Sequence, residues 1–189
     1  MRIIAGKMKG ASLYLTKDKN TRPLKDIARE SIFNLLKHSN KITFKFEKSI
    51  ILDLYSGTGS FGLECISRDA KNVYFVENDK EAINVLEKNI KKLKVEKNTK
   101  IFFNNVFEFV EKKDFQKLKF DLIFCDPPFK FTNVQELFEL IFGKNLLNKN
   151  GTIILHRNKN SKEILPSCFE VIDERVYGIS KIIFGRLLS

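Results

Sequence analysis

The stretch Ile50-Ile51-Leu52-Asp53-Leu54-Tyr55-Ser56-Gly57-Thr58-Gly59-Ser60-Phe61-Gly62 decides the fold. Its first five residues form a strand-length apolar run, and helical spacing resumes from Phe61 to Arg68. A strand that turns through glycines into a helix is the start of a βαβ unit. Without Cβ atoms, Gly57 and Gly59 let the backbone come close to a ligand and adopt the dihedrals of a tight turn.

Gly57, Gly59 and Gly62 also satisfy G-x-G-x-x-G, so a dinucleotide site is one reading of this loop. Glu77 ends the next apolar run and serves either reading, because a carboxylate there accepts hydrogen bonds from ribose hydroxyls. Asp53 separates them. In the dinucleotide fingerprint the first glycine sits at the strand end, whereas here Asp53 and three further residues precede Gly57. A carboxylate facing the loop suits the ammonium and sulfonium of S-adenosylmethionine and is unhelpful beside a pyrophosphate. The loop is therefore expected to bind S-adenosylmethionine, through Asp53, Gly57 and Gly59 with Glu77.

Outward from this loop, strand-length runs alternate with helical segments: Val73 to Val76, Lys80 to Leu93, Ile101 to Phe103, Val106 to Lys112, Phe120 to Cys125, Val134 to Phe142 and Thr152 to Leu155. That alternation predicts a mostly parallel sheet with helices on both faces. Cys168 to Val176 and Ser180 to Leu187, with Tyr177-Gly178 between them, suit an antiparallel pair closing the sheet. Before the core, Arg2 to Ala5 and Ala11 to Leu15 read as a hairpin. Asp26 to Lys37 reads as a helix capped by Asp26, with Ile27, Ile32, Phe33, Leu35 and Leu36 on one face. One domain spanning 1–189 is expected, with residues 1–40 as an extension and 49–189 as an α/β core.

The charge is uneven. Of a net +11, residues 1–50 hold 12 Lys and Arg against 4 Asp and Glu, which points to a polyanionic partner unless the lysines reflect composition alone. Lys7, Lys9, Arg22 and Arg29 are the candidate phosphate contacts, although Arg29-Glu30 also reads as an ion pair on a helix face. No apolar run approaches the roughly 20 residues of a membrane span, and the chain opens without the apolar stretch of a signal peptide. A cytoplasmic monomer is expected. Cys65, Cys125 and Cys168 with His38 and His156 form neither a disulfide framework nor a zinc signature, so no metal is expected.

The second decisive stretch is Asp126-Pro127-Pro128-Phe129, directly after the apolar run Phe120 to Cys125. In an open α/β sheet the carboxyl ends of the strands at the topological switch point bind ligands, so this tetrad and the glycine loop should face one pocket. Two prolines stiffen the turn and remove two donors, leaving carbonyl acceptors. A target that is itself a donor explains that choice. The exocyclic amino group of a base is such a target, and its delocalised lone pair makes it a poor nucleophile. If the Asp126 carboxylate and the Pro127 carbonyl each accept one amino hydrogen, they hold the nitrogen toward tetrahedral geometry and aim its lone pair at the methyl carbon. Pro128 borders the base, and Phe129 offers a face for stacking worth about 1–3 kcal/mol.

Arg2-Ile3-Ile4-Ala5-Gly6-Lys7 with Gly10, Arg22-Pro23 through Arg29-Glu30-Ser31-Ile32-Phe33-Asn34, Asp53 to Glu64 and Asp126 to Phe129 together resemble the RsmD-type guanine-N(2) methyltransferases of 16S ribosomal RNA over almost the whole length. The resemblance implies a seven-stranded Rossmann-like methyltransferase fold. It also implies methylation of one guanine 2-amino group in the small subunit, and adenine of the cofactor near Asn105 and Val106, and it extends the expected cofactor set to Tyr55, Ser56, Thr58 and Asn78. Asn104-Asn105 stands where the family usually has Gly-Asp, and Leu24 and Ile27 replace a Thr and an Arg. Three rivals stay open at this level: an adenine amino methyltransferase of DNA or RNA, a nicotinamide oxidoreductase, and a non-catalytic RNA-binding assembly factor.

Overall fold

The computed structural model describes residues 1–17, 26–112 and 118–188. Its centre is a seven-stranded sheet in the order β3-β2-β1-β4-β5-β7-β6. Strand β1, Ile50–Leu54, lies between β2, Asn72–Glu77, and β4, Phe120–Cys125, all parallel. Strand β3, Thr99–Phe103, extends the sheet beyond β2, and β5, Leu147–Asn158, pairs in parallel with β4. The antiparallel strands β6, Phe169–Tyr177, and β7, Ser180–Leu187, close the far side as expected. The chain leaves β1 toward β2 on one side and returns to β4 on the other, so the switch point lies between β1 and β4.

Helices α2, Ser60–Ser67, α3, Lys80–Leu93, α4, Val106–Glu111, and α5, Val134–Gly143, cover the two faces of the sheet together with α1, Asp26–His38. The inner strands are buried on both sides, which is why β1 and β4 read as continuous apolar runs. One core joins Ile51, Phe61, Phe75 and Phe124 to Ile32 and Phe33 of α1; a second joins Leu52, Phe109, Ile123 and Phe138. Phe61 stacks on Phe124 with centroids 3.9 Å apart, fastening α2 to the middle of the sheet. Ile27, expected on the buried stripe of α1, is instead exposed, and the capping role expected of Asp26 lies outside the described residues.

The N-terminal hairpin is looser than its pattern suggests. Arg2 and Ser12 form a single bridge, with Ile3 donating to Ala11 and Leu13 to Met1. The ladder stops because the next two N–H groups, of Ile4 and Ala5, donate to the Glu64 carboxylate at 2.6 and 3.0 Å. Glu64 is fully buried on α2 and also accepts from Arg68 Nε at 2.8 Å. It is a latch that ties the extension to the core. Glu64→Ala strands a nearly buried guanidinium and two amides, a loss of about 3 kcal/mol or more. Differential scanning calorimetry should show Tm lower by on the order of 10 °C, with residues 1–17 the first to be cut in limited proteolysis; an unchanged Tm would remove the latch.

Candidate active site

Five parallel strands, β1 to β5, bring their carboxyl ends to one edge of the sheet. After β1, Tyr55 takes a left-handed conformation at φ 57°, followed by Gly57 at 53° and Gly59 at 79°. Both glycines are required, for different reasons. A Cβ on Gly59 would come within 2.2 Å of Leu86 Cδ1 of α3, whereas one on Gly57 would meet nothing within 4 Å. Gly59 lets the helix pack; Gly57 faces open space that a ligand can enter. The loop is held by its neighbours: Ser56 N–H donates to the Val76 carbonyl, and Gly57 N–H to Glu77 Oε2 at 2.8 Å. Asn89, buried on α3, donates to the carbonyls of both Thr58 and Tyr14, joining loop to extension.

Glu77 accepts twice more, from the N–H groups of Asn78 and Asp79 at 2.8 and 2.9 Å. A carboxylate offers about four lone-pair directions, so these three bonds leave one for a hydroxyl. Asp53 is buried; its Oδ2 accepts from Gly62 N–H at 3.0 Å, while Oδ1 is buried with no partner. Burial pushes its carboxyl well above the usual range, the Gly62 amide pulls the other way, and the charges of Asp126 and Glu77 push it further up. Three carboxylates converging on one glycine-lined recess attract a cation. This fits the ammonium and sulfonium of S-adenosylmethionine: an orphan acceptor for positive charge, an open approach at Gly57 and a hydroxyl acceptor at Glu77. Asn105 caps α4 by accepting from Phe107 N–H at 2.9 Å, and Val106 beside it is buried. The Ser56 hydroxyl is also buried without a partner.

The tetrad follows β4. Asp126 N–H reaches the Leu54 carbonyl at 3.4 Å, which sets the tetrad against the end of β1. Pro127 is buried, while Pro128 and Phe129 are exposed. Phe131, two residues further, packs on Tyr55 of the glycine loop at 5.6 Å and on Phe107 of α4 at 6.2 Å. These rings join three loops into one wall. Cys125, next to Asp126, is no nucleophile, because burial and then the Asp126 charge hold its thiol far above its ordinary range.

Two residues that sequence reasoning passed over meet the tetrad from β5. His156 Nδ1 lies 2.7 Å from Asp126 Oδ1. Arg157, also buried, donates to the carbonyls of Pro128 at 2.9 Å, Phe129 at 3.3 Å and Phe131, and pairs through Nε with Glu163 at 2.7 Å. A histidine and an arginine straight after an apolar run read as the end of a strand. The signal that could have found them is that β5 stays parallel to β4, so its end must lie beside Asp126.

The basic residues do not gather here. Lys7 N–H donates to the Ser67 carbonyl, at the end of α2, and its ammonium pairs with Asp69. Since α2 starts at the glycine loop and runs eight residues back, Lys7 and the exposed Lys9 lie at the opposite end of the sheet, about 12 Å away along the helix. Lys7 borders a groove of about 750 Å³ that Lys48, Arg68 and Lys71 also line. Arg29 is a correction. It is fully buried and donates to the Arg2 carbonyl at 2.8 Å, so it is not on a surface that a phosphate can reach. Arg22 and Leu24 lie outside the described residues.

A family model described as Conserved hypothetical protein 95 matches residues 1–186. The chain is 32% identical over 180 residues to Ribosomal RNA small subunit methyltransferase D of Haemophilus influenzae, covering 95% of this chain and 90% of that one. It is 34% identical to the protein of the same name from Buchnera aphidicola, covering 88% and 81%. A solved structure from Haemophilus influenzae, described as a methylase, superposes with a TM-score of 0.80 at 30% identity, covering 100% of this chain and 99% of that one. The helix-flanked sheet, its glycine loop and its D-P-P-F turn thus stand in a chain that belongs, over nearly all of its length, to the Conserved hypothetical protein 95 family, the RsmD family of methyltransferases.

Proposed function

We propose that this chain transfers the methyl group of S-adenosylmethionine to the 2-amino group of a guanine in 16S ribosomal RNA. The observation that carries the reading is the pair of open acceptors at the tetrad, Asp126 Oδ2 and the Pro127 carbonyl, beside the acidic, glycine-lined recess after β1. Among the described residues nothing donates to either atom.

When bound, S-adenosylmethionine supplies an electrophilic methyl carbon whose bond to sulfur is exchanged for one to the acceptor nitrogen, the electron pair leaving with sulfur as a thioether. The protein's part is placement and charge. Asp53 Oδ1 and the loop from Tyr55 through Ser56, Gly57, Thr58 and Gly59 receive the cationic amino-acid end. Glu77 and Asn78 border the ribose, and Asn105 and Val106 border the adenine. Asp126 Oδ2 and the Pro127 carbonyl accept the two amino hydrogens, and Pro128 and Phe129 hold the plane of the base. Asp126 Oδ2 receives the proton that the methylated nitrogen sheds, a short transfer needing no strong base because that nitrogen is cationic.

The four residues of the tetrad accept from a guanine or an adenine amine alike. Guanine is taken from the resemblance of the N-terminal segment and from relatives that carry the small-subunit name. We read residues 49–189 as the catalytic core and 1–40 as an extension that helps to hold RNA, working as a cytoplasmic monomer. Lys7 and Lys9 then touch phosphates on the flank of a folded RNA or an assembling subunit, away from the target base. To test this, the purified protein, S-adenosylmethionine and small subunits lacking the modification are combined, and the RNA is digested to nucleosides for mass spectrometry. N(2)-methylguanosine at one position is the expected product. N(6)-methyladenosine would transfer the reading to the adenine enzymes, and no methyl product would end it.

A further inference from the structure

We infer that His156 and Arg157, consecutive residues at the end of β5, are positioning residues that set the acceptor geometry of the 126–131 loop. The inference rests on the proposed role of Asp126 and Pro127 as acceptors of the amino hydrogens. Neighbouring residues of a strand point to opposite faces, so the pair approaches the loop from both sides of the sheet.

Arg157 is nearly fully buried, yet four of its bonds are spent on an otherwise exposed turn and one carboxylate: three to the carbonyls of Pro128, Phe129 and Phe131, one to Glu163. The planar guanidinium has its donors in a fixed fork, so it imposes one spacing on the carbonyls it holds. Those acceptors are thereby occupied, and the Pro127 carbonyl is left open. His156 acts on the carboxylate. An ionised carboxylate only accepts, so the bond to Asp126 Oδ1 places the proton on His156 Nδ1. Asp126 is then held by one oxygen with the other available. The Phe129 ring meets the imidazole edge-on at 6.1 Å, so the same side chain orients the stacking face.

The arrangement is expensive as mere structure. Burying a guanidinium and an imidazole whose Nε2 has no partner costs desolvation that apolar side chains would avoid. The cost is understandable if the loop must offer chosen oxygens.

Three variants test it: His156→Leu, which removes the donor; His156→Asn, whose amide N–H stands near the place of Nδ1–H; and Arg157→Lys, which keeps the charge and loses the fork. Steady-state methylation of ribosomal RNA, cofactor affinity by calorimetry and Tm are measured for each. His156→Leu should lower kcat on the order of 10²-fold, the scale of a 1 Å misplacement, with cofactor Kd and RNA KM within about threefold of wild type. His156→Asn should recover most of that loss, and Arg157→Lys should show the kcat defect while still binding cofactor. If His156→Leu does not fold, His156→Asn and Arg157→Lys still decide the matter. Wild-type kcat in His156→Leu, or a kcat that follows Tm alike in Leu and Asn variants, overturns the role of His156. Wild-type kcat in Arg157→Lys overturns that of Arg157. If Asp126→Ala is itself active, the reading of the tetrad has failed and not merely this inference.

Discussion

Asp126→Ala is expected to slow methyl transfer on the order of 10³-fold, the scale of losing a preorganised group aimed at developing charge, while S-adenosylmethionine binds within a few-fold of its wild-type affinity. The carboxylate acts on the acceptor nitrogen, so its loss leaves the amine flat and its lone pair delocalised. Two effects on the cofactor oppose each other and keep the net change small. Removing a negative charge weakens the attraction for a cation, but it also relieves Asp53 of one of the charges that raise its carboxyl.

Asp126→Asn is the sharper experiment. An amide keeps the shape and one acceptor, but His156 Nδ1–H lies 2.7 Å from Oδ1 and will claim that acceptor. The amide NH2 is then turned toward the substrate amine, donor against donor. The Asn variant should therefore be nearly as slow as the Ala variant, although it is a one-atom change. Radiolabelled methyl transfer under saturating RNA reads the rate, and calorimetry reads the cofactor. Joint loss of rate and cofactor binding in Asp126→Ala would mean that Asp126 holds the donor.

Much of this architecture is legible in the chain. The bounds of β1, α3, β4 and β7 follow from their apolar runs or helical periods. Strand β5 reads as Thr152 to Leu155 but spans Leu147–Asn158. Lys149, Asn150 and Gly151 hide its beginning, and a shift of register between Phe120 and Leu122 of β4 accommodates them. Its end is hidden by His156 and Arg157, whose partners in the 126–131 loop lie 26–30 residues back. Sequence spacing carries no sign of such a pairing. Arg29 shows the converse. A charged residue on an amphipathic helix reads as solvated, but here the extension folds over it and offers the Arg2 carbonyl. Local pattern reports which residues can be buried, and tertiary contacts decide which polar ones are.

Asp53→Asn is expected to weaken S-adenosylmethionine binding on the order of 10²-fold, as removal of one charged partner from a desolvated pair does, and at the same time to raise the Tm of the ligand-free protein. Both follow from the buried carboxylate. Its carboxyl is raised in the folded state, chiefly by burial, with the charges of Asp126 and Glu77 adding to it and the Gly62 amide opposing. A group raised in this way contributes stability while protonated, below its unfolded value, and loses that contribution as pH climbs through the folded value. Above the unfolded value the raised carboxyl therefore burdens the fold, and an amide, which can still accept from Gly62 N–H, relieves it. A bound cation reverses the balance by favouring the carboxylate. Binding then releases a proton wherever the ligand-free protein is protonated at Asp53, and affinity rises with pH by at most about tenfold per unit before levelling off above the ligand-free value. Calorimetry in two buffers of different ionisation enthalpy measures that proton directly. The ligand's own amine also titrates, so the quantity that counts is the difference between wild type and Asp53→Asn. Equal affinity and equal buffer dependence in the two proteins would show that the orphan oxygen does not face the donor. A destabilised Asn variant would show that the buried charge is instead compensated within the fold.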